Sequence, residues 1–154
     1  MKKKITLIRH AQSKFNCGEF KTDAELLNCP LSEYGKMQAT ILNFTFDAII
    51  LSTLKRAIDT YMNSTIKTDN VIMSHLFREQ REDSLLNFLE NEEIIPESPD
   101  DVRKRAREAI EFIRTLDYEN IGIVSHGYFI WYFLEQCGQK PISTHNTQSI
   151  TFEL

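Results

Sequence analysis

The chain has 154 residues, of which 42% are hydrophobic and 26% are charged, and its formal net charge is −4. This length suits one domain with a sizeable core, and the composition is near the average for globular proteins, which argues against disordered and fibrous classes. The negative charge argues against nucleic acid as a partner, so an anion-binding site must be a local concentration of positive charge.

Short apolar runs alternate with amphipathic stretches along the chain. The runs are rich in β-branched residues, as expected of buried strands, and several stretches begin at a residue suited to helix capping. In chain order, the predicted elements are strand 5–8, a helix from Ser32 to about residue 43, strand 48–51, a helix capped by Ser52 or Thr53, strand 71–73, a helix over 84–90, a helix from Ser98 or Asp100 through Leu116, strand 121–124, a helix over 128–137 and strand 149–154.

This alternation predicts an α/β fold, namely one three-layer α/β/α domain over residues 1–154 with a mostly parallel central sheet. In such a fold, ligands bind beyond the carboxyl ends of the strands. The helix that ends near Leu116 looks basic. Because charge runs on helices are usually solvated faces, we expect its basic side chains to lie in water. These side chains are Arg103, Lys104, Arg105 and Arg107.

The cysteines and the apolar segments bear on the compartment. Cys17, Cys29 and Cys137 are odd in number and form no CxxC pair, so we expect neither a disulfide framework nor a structural zinc site. The apolar run Ile5–Ile8 is too short for a signal peptide, and no segment approaches the roughly 20 apolar residues of a membrane span. We therefore predict a cytoplasmic protein without a membrane partner.

Polar residues follow three of the predicted strands at the point where each strand ends. Arg9-His10 follows the first strand, Ser52–Arg56 the second, and Ser125–Gly127 the fourth. One histidine at a strand end is more often structural than catalytic. Because three strand ends meet at one edge of a parallel sheet, however, the two histidines and two arginines predict an anion site there. The planar guanidinium of arginine suits phosphate or carboxylate oxygens.

Several other chemistries fit the sequence poorly. There is no glycine-rich dinucleotide fingerprint, no P-loop and no GxSxG nucleophile elbow. The four histidines show no metal-ligand spacing, so no metal site is predicted. Cys17 lies in a polar loop without an identifiable adjacent base. If the site performs phosphate chemistry, histidine is therefore the natural nucleophile.

Ordered sequence segments of the chain match one set of motifs, and they cover nearly its whole length. They are Arg9–Ser13 with Asn16, Pro30–Gly35 with Gln38-Ala39, Ser52–Thr60, Phe77–Gln80, Glu97-Ser98 and Ser125–Gly127. Through these segments the chain resembles the histidine phosphatase superfamily, also called the phosphoglycerate mutase-like family. One such motif is a weak signal, whereas four in order at the expected strand ends are a strong one.

The resemblance implies a role for each matching residue. His10 is the expected nucleophile and forms a transient phosphohistidine. Arg9, Arg56 and His126 are expected to hold the phosphoryl oxygens, and His126 is counted with the catalytic residues as well. Asn16 is expected to add a hydrogen bond, and no metal or cofactor is required. Glu79 is the preferred general acid, with Glu82 and Asp83 as rivals.

Two features of the chain depart from the family pattern. Ala11 stands where the family has glycine, which would matter if the backbone there needs a positive φ. The short stretch between Glu79 and Glu97 suggests an open pocket.

The sequence favours a phosphatase that acts on a phosphorylated small molecule or a phosphoprotein. The alternatives are a phosphoglycerate mutase-type isomerase and a catalytically silent domain that binds phosphorylated ligands. The oligomeric state is left open.

Overall fold

The structure is a computed structural model that describes residues 2–154. Within that range the chain forms five strands and four α-helices, with 3-10 turns at Asp23–Leu26 and His75–Phe77. In chain order the strands and helices are β1 (Lys4–Arg9), α1 (Glu33–Ala39), β2 (Ala48–Ser52), α2 (Lys55–Asn63), β3 (Val71–Ser74), α3 (Pro99–Thr115), β4 (Asn120–Ser125), α4 (Gly127–Gln136) and β5 (Ser149–Glu153).

The strands form one sheet in the order β3-β2-β4-β1-β5. The first four strands are parallel to one another, and β5 pairs antiparallel with β1. The register places Arg9 opposite Ser125 and Leu51 opposite Val124, so β1, β2 and β4 end side by side. The predicted α/β fold with a mostly parallel sheet is confirmed.

Alternating side chains of the strands build a core on each face of the sheet. Ile5 and Leu7 pack in the cluster that contains α3 and α4, whereas Ile8 packs in the cluster that contains α2. Each fully buried aliphatic side chain of this kind contributes about 1.5–3 kcal/mol. Helix α1 contacts α2 on that second face. The sheet therefore has helices on both sides, and none of the helices within residues 2–154 is long and apolar enough to cross a bilayer.

Each of the two helices of the second face differs from the sequence prediction at one end, α1 at its C-terminus and α2 at its N-terminus. Ser32 caps α1 as predicted, since its hydroxyl accepts the Gly35 N–H at 3.0 Å. The helix ends at Ala39, short of residue 43. After it, the N–H groups of residues 40–42 donate to carbonyls three residues earlier, which tightens the chain into turns. The predicted cap of α2 was wrong. Leu54 occupies the N-cap position without a side-chain hydrogen bond, and the Ser52 hydroxyl instead accepts the Leu54 N–H at 3.3 Å.

The helix predicted over 84–90 was also wrong. Residues 78–97 form bends and turns and contain neither helix nor strand; we call this stretch the 78–97 segment. Asn87 supplies the physical reason. Its carbonyl accepts from Arg78 Nη2 at 2.8 Å and its side-chain oxygen accepts from Arg56 Nη2 at 2.6 Å. An arginine side chain thus binds the backbone carbonyl that a helical N–H would otherwise bind, and a second arginine holds the Asn87 side chain.

The basic helix α3 begins at Ser98 as predicted, in a capping box with Asp101. The expectation that its basic side chains lie in water was wrong for Arg105. That residue is only 9% exposed and forms an ion pair with Glu97 at 3.0 Å. Two residues earlier, Arg103 is half-buried and pairs with Glu135 on α4, whereas Lys104 and Arg107 are exposed. Burial of one arginine in the run follows from a partner that lies before the helix.

Candidate active site

A cavity of about 630 Å³ lies beyond the ends of β1, β2 and β4. Five of the residues that the sequence predicts for the site line it: Arg9, His10, Asn16, Arg56 and Glu79. His10, Arg56 and Glu79 are less than 10% exposed, so they form the deep end of the cavity. We call these three together with Arg9 the polar floor.

His10 follows directly after β1, and its two ring nitrogens have different surroundings. Nδ1 lies 2.6 Å from the Ala11 carbonyl. Because a carbonyl can only accept, Nδ1 carries the proton and Nε2 keeps its lone pair. Arg56 donates from Nε toward that Nε2 at 3.4 Å. Burial holds the pKa of His10 well below its ordinary value, and the charges of Arg56 and Arg9 act in the same direction. The imidazole is therefore neutral near pH 7.

The two arginines of the floor are held by oxygen acceptors from distant parts of the chain. Arg56, in the first turn of α2, donates to the Asn87 side chain at 2.6 Å, and burial lowers its pKa to about 10, so it stays protonated at neutral pH. Arg9 donates from Nη1 to the Thr144 carbonyl. Its buried Nε has no hydrogen-bond partner among residues 2–154. An unused guanidinium donor beside a cavity suits an anionic ligand.

His126 is fully buried next to His10, with 5.1 Å between the ring centroids. Its Nε2 lies 2.8 Å from the Ser52 hydroxyl, and its buried Nδ1 has no partner in the described part of the chain. Burial lowers the pKa of His126 well below its ordinary value, and the Arg56 charge adds to this. The structure therefore places His126 beside His10 as a neutral ring with one unused nitrogen, although His126 is not among the residues that line the cavity. Its predicted contact with a phosphoryl oxygen stays a prediction.

Glu79 is 9% exposed and lies against the N-terminus of α4. Its Oε1 accepts the N–H groups of Phe129 at 2.8 Å and Gln80 at 2.9 Å, and its Oε2 accepts the N–H of Tyr128 at 3.0 Å. Burial raises the pKa of Glu79, although these N–H groups oppose the shift. Its rivals Glu82 and Asp83 are both exposed, and Glu82 lines the cavity. Of the three carboxylates, Glu79 is the buried one with a raised pKa.

Arg105 holds the backbone that carries Glu79. Its guanidinium donates to the carbonyls of Leu76 at 2.9 Å, Arg78 at 2.7 Å and Glu79 at 3.3 Å. It also donates twice to Glu97 and lies 4.9 Å from the centre of the Phe129 ring. One buried arginine thus fixes the segment just before the candidate acid. Sequence reasoning missed this residue because nothing near position 105 distinguishes it from the basic residues around it.

The loop after β1 positions the remaining predicted residue, Asn16. Its Oδ1 accepts the Ser13 N–H at 3.0 Å and its own N–H donates to the Ser13 hydroxyl at 3.1 Å. Asn16 is exposed at the edge of the cavity, so its predicted phosphate contact is untested. Among residues 2–154, the non-glycine residues with positive φ are Asn28, Asn91 and Thr147. Ala11 therefore stands where the family has glycine without backbone strain.

Gly35 lets α1 approach this loop closely. A Cβ added at Gly35 would lie 2.0 Å from the Gln12 carbonyl oxygen, which is far inside van der Waals contact. The same carbonyl accepts the Ser32 N–H at 3.0 Å. Backbone of the loop is thus fastened directly to the start of α1, and glycine is required there by space.

Aromatic side chains form the outer part of the cavity, and sequence reasoning missed them. They come from the loop after β1 and from α4, and they are Phe15, Tyr128, Trp131 and Tyr132. We call these four residues the aromatic wall. The signal was present, because positions 128, 131 and 132 have the i, i+3, i+4 spacing of one helix face. An apolar helix looks the same in sequence whether such a face meets the core or a cavity.

Comparison with known proteins identifies the family. The sequence matches the model of the histidine phosphatase superfamily, branch 1, over residues 5–79 and 73–151. None of the curated proteins matches it significantly.

Solved structures with a similar fold include two phosphatases. One is a phosphoserine phosphatase variant from Entamoeba histolytica in complex with phosphoserine, with a TM-score of 0.73 and 19% identity over 97% of this chain and 90% of the other. The second is a mycobacterial glucosyl-3-phosphoglycerate phosphatase, with a TM-score of 0.66 and 17% identity over 97% of this chain and 90% of the other. At this identity the likeness concerns the fold. The family model covers nearly the whole sequence, and the chain belongs to the histidine phosphatase superfamily.

Proposed function

We propose that this chain is a phosphatase that hydrolyses phosphomonoesters through a phosphohistidine on Nε2 of His10. The observation that carries the proposal is the state of that ring. Its Nδ1 is held by a carbonyl, its pKa is lowered by burial, and its Nε2 lies at the floor of an open cavity beside Arg56. An unprotonated nitrogen of a neutral imidazole is the form that can attack phosphorus, and the bound phosphoryl group takes over the Arg56 donor.

Substrate binding places the phosphoryl group on the polar floor. Arg9 and Arg56 balance its negative charge, and the unused Nε of Arg9 donates to an oxygen. The Ser52 hydroxyl already accepts the Leu54 N–H, so its own proton is available to His126 Nε2. His126 then carries its ring proton on Nδ1, and this N–H donates a hydrogen bond to a second oxygen.

In the first chemical step, Nε2 of His10 forms a bond to phosphorus while the bond to the leaving oxygen breaks. Glu79 gives that oxygen a proton, which leaves as part of the alcohol. Oε1 already accepts two N–H groups whereas Oε2 accepts one, so the transferred proton is assigned to Oε2. The products of this step are the alcohol, phosphohistidine and the Glu79 carboxylate.

The second step restores the enzyme. Water attacks the phosphorus of phosphohistidine, the N–P bond breaks, and its electron pair returns to Nε2. The Glu79 carboxylate takes one proton from the water and inorganic phosphate is released. Catalysis of phosphoryl transfer depends mainly on positioning and on the stabilisation of charge in the transition state. The arginines and His126 are therefore expected to lower the barrier strongly without a bound metal.

The proposal is tested with p-nitrophenyl phosphate, with and without EDTA. We expect turnover that EDTA does not affect and that His10→Ala lowers by at least about a thousandfold. The control is His75→Ala, because His75 is an exposed histidine outside the cavity. Rapid quenching and mass spectrometry should find one phosphoryl group on His10.

Three outcomes would contradict the proposal. Phosphate binding without turnover would indicate a catalytically silent domain, and interconversion of phosphoglycerates would indicate a mutase. Equal activity of His10→Ala and the parent chain would exclude His10 as the nucleophile. Whether the natural substrate is a small molecule or a phosphoprotein, and whether the protein is cytoplasmic, stay predictions from the sequence.

A further inference from the structure

The aromatic wall has no role in the phosphate chemistry. Tyr128, Trp131 and Tyr132 share one face of α4, and Phe15 comes from the loop after β1. The cavity of about 630 Å³ is of the size that holds a drug-sized ligand, much larger than a phosphoryl group. Its outer part therefore has room for the alcohol of the substrate, and aromatic rings form the contact surface.

The rings of the wall stay accessible at the mouth of the cavity. Tyr128 is 59% exposed and Phe15 is 40% exposed, while Trp131 and Tyr132 are half-buried. Exposed apolar residues are normally scattered singly over a protein surface. Several large apolar rings that face one opening are therefore typical of a binding surface.

Ring contacts orient three of the four rings of the aromatic wall. Trp131 and Tyr132 lie edge to face with 5.2 Å between ring centroids, and the Arg103 guanidinium lies 5.2 Å from the centre of the Tyr132 ring. Phe15 stacks on Phe20 at 5.9 Å. Rings held in place lose little conformational entropy when a ligand binds, so they favour a flat partner that can stack on them.

The charges around the cavity are arranged unevenly. The cationic side chains among its lining residues, Arg9 and Arg56, both belong to the polar floor. The charged residue outside the floor is Glu82, an exposed carboxylate. A second phosphate or a carboxylate on the substrate would meet aromatic rings and the Glu82 carboxylate. The nearby cation Arg103 is not among the lining residues and is already paired with Glu135.

From these observations we infer that the site selects phosphomonoesters whose alcohol carries a flat aromatic ring and no second anionic group. The inference rests on the proposed phosphatase function and names its substrate class. The aromatic wall stacks on the ring while the polar floor holds the phosphoryl group. Stacking of a ring on aromatic side chains is expected to raise kcat/KM by about tenfold over a saturated ring of the same size.

The test compares three synthetic esters of primary alcohols, which differ little in the reactivity of the leaving group. We expect kcat/KM for benzyl phosphate to exceed that for cyclohexylmethyl phosphate by about tenfold, because the two rings are similar in size and differ in flatness. We expect kcat/KM for 4-carboxybenzyl phosphate to be lower than that for benzyl phosphate. Glu82→Gln should reduce this difference in kcat/KM.

Variants of the wall locate the preference. Trp131→Ala should reduce the ratio between benzyl and cyclohexylmethyl phosphate toward one, whereas Trp131→Phe should keep most of it. Tyr34→Ala is the control, because Tyr34 is an exposed aromatic residue on α1 outside the cavity. The Trp131→Phe variant keeps the test informative if the alanine variant folds poorly.

The outcomes separate the inference from the proposed function. If the two neutral esters are hydrolysed equally well in a His10-dependent reaction, the inference is wrong and the phosphatase function stands. A preference that survives Trp131→Ala combined with Tyr128→Ala also overturns the inference. If no ester is hydrolysed, the proposed function itself fails.

Discussion

The two sides of the cavity are fixed in different ways. His10 and His126 follow directly after β1 and β4, whose paired backbones set their positions through the sheet register. The opposite side is the 78–97 segment, which has no helix or strand and is held by side chains. Many backbone hydrogen bonds hold the residues at the strand ends in place, whereas a few charged side chains hold the segment.

Two ion pairs hold the segment. Both arginines are buried, and the side chains of their carboxylate partners are 7% exposed in one pair and 30% exposed in the other. Arg78 pairs with Glu92 at 2.7 Å, and Arg105 pairs with Glu97 at 3.0 Å. A buried pair loses little by complete replacement but much by removal of one partner, because an uncompensated charge is left behind. A single substitution in the Arg105–Glu97 pair, which is buried on both sides, should therefore disturb the site strongly, and the predictions below compare it with changes elsewhere.

The largest expected effect comes from Arg105→Met. The change leaves Glu97 buried without its main cation and removes the donors to the carbonyls of Leu76, Arg78 and Glu79. Removal of one partner from a buried pair typically costs about 3–5 kcal/mol, which urea denaturation measures as a lower free energy of unfolding.

A double variant, Arg105→Met with Glu97→Met, provides the matched control. It should recover part of the lost stability, because no unpaired charge remains. The released Glu79 segment should still shift the acidic limb of the pH–rate profile in both variants. If the double variant is as unstable as the single one and the pH profile is unchanged, Arg105 acts only through packing.

Asn87 carries the second prediction. Its side-chain oxygen lies 2.6 Å from Arg56 Nη2 and its side-chain nitrogen donates to the Gln80 carbonyl at 2.7 Å. Asn87→Leu removes both bonds and leaves Arg56 free to turn away from His10. A lost hydrogen bond to a charged group costs about 1.5–3 kcal/mol, so kcat/KM should fall by roughly tenfold to a hundredfold.

Controls distinguish orientation from folding. Asn43→Leu replaces an exposed asparagine outside the cavity and should leave the kinetics unchanged. Asn87→Asp keeps an oxygen acceptor for Arg56 and should retain more activity than Asn87→Leu at equal stability. If Asn87→Leu matches the parent chain in kcat/KM, Asn87 does not orient Arg56.

Particular residues show why one side of the cavity could be predicted from the sequence and the other could not. His10, Arg56 and His126 each follow an apolar strand run within a few residues, so periodicity and topology together place them. Asn87 lies in a stretch whose apolar residues resemble a helix, and its partners Arg56 and Arg78 are 31 and 9 residues away. Contacts of that range leave no local pattern.

The aromatic wall was missed for a related reason. The spacing of Tyr128, Trp131 and Tyr132 predicts a helix face but not what that face contacts. Burial of α4 by the sheet and α3 on its other side is a property of the assembled fold. Local sequence therefore placed the helix correctly and could not assign its outer face to the cavity.

The third prediction concerns pH and the sheet side of the cavity. His10 and His126 are neutral in the folded protein, with pKa values lowered by burial, and in the unfolded chain they bind protons below about pH 6.5. The unfolded state then holds more protons, so stability falls as the pH drops. Each histidine contributes a slope approaching about 1.4 kcal/mol per pH unit below that point.

Denaturation at several values between about pH 7 and about pH 5 measures the slope. Glu79 works in the opposite direction, because its raised pKa lets the folded state bind a proton more readily. The slope of the parent chain is therefore the contribution of the two histidines minus that of Glu79. His10→Asn should reduce this slope, because it removes one of the two histidine contributions. An unchanged slope in His10→Asn would mean that His10 is not buried in its neutral form.

The smallest effect is expected from Arg103→Met, two residues before Arg105 on the same helix. Arg103 also pairs with a carboxylate, Glu135 at 2.7 Å, but its side chain is 33% exposed. Pairs that water reaches contribute about 0–1 kcal/mol, so urea denaturation should show a loss no larger than that. If Arg103→Met cost as much as Arg105→Met, position along α3 would matter more than burial. A small loss of stability in Arg103→Met and a large loss in Arg105→Met would show that the buried pair with Glu97, which lies before the helix, accounts for the contribution of Arg105. Two arginines of one basic run then differ because only one of them has a buried partner.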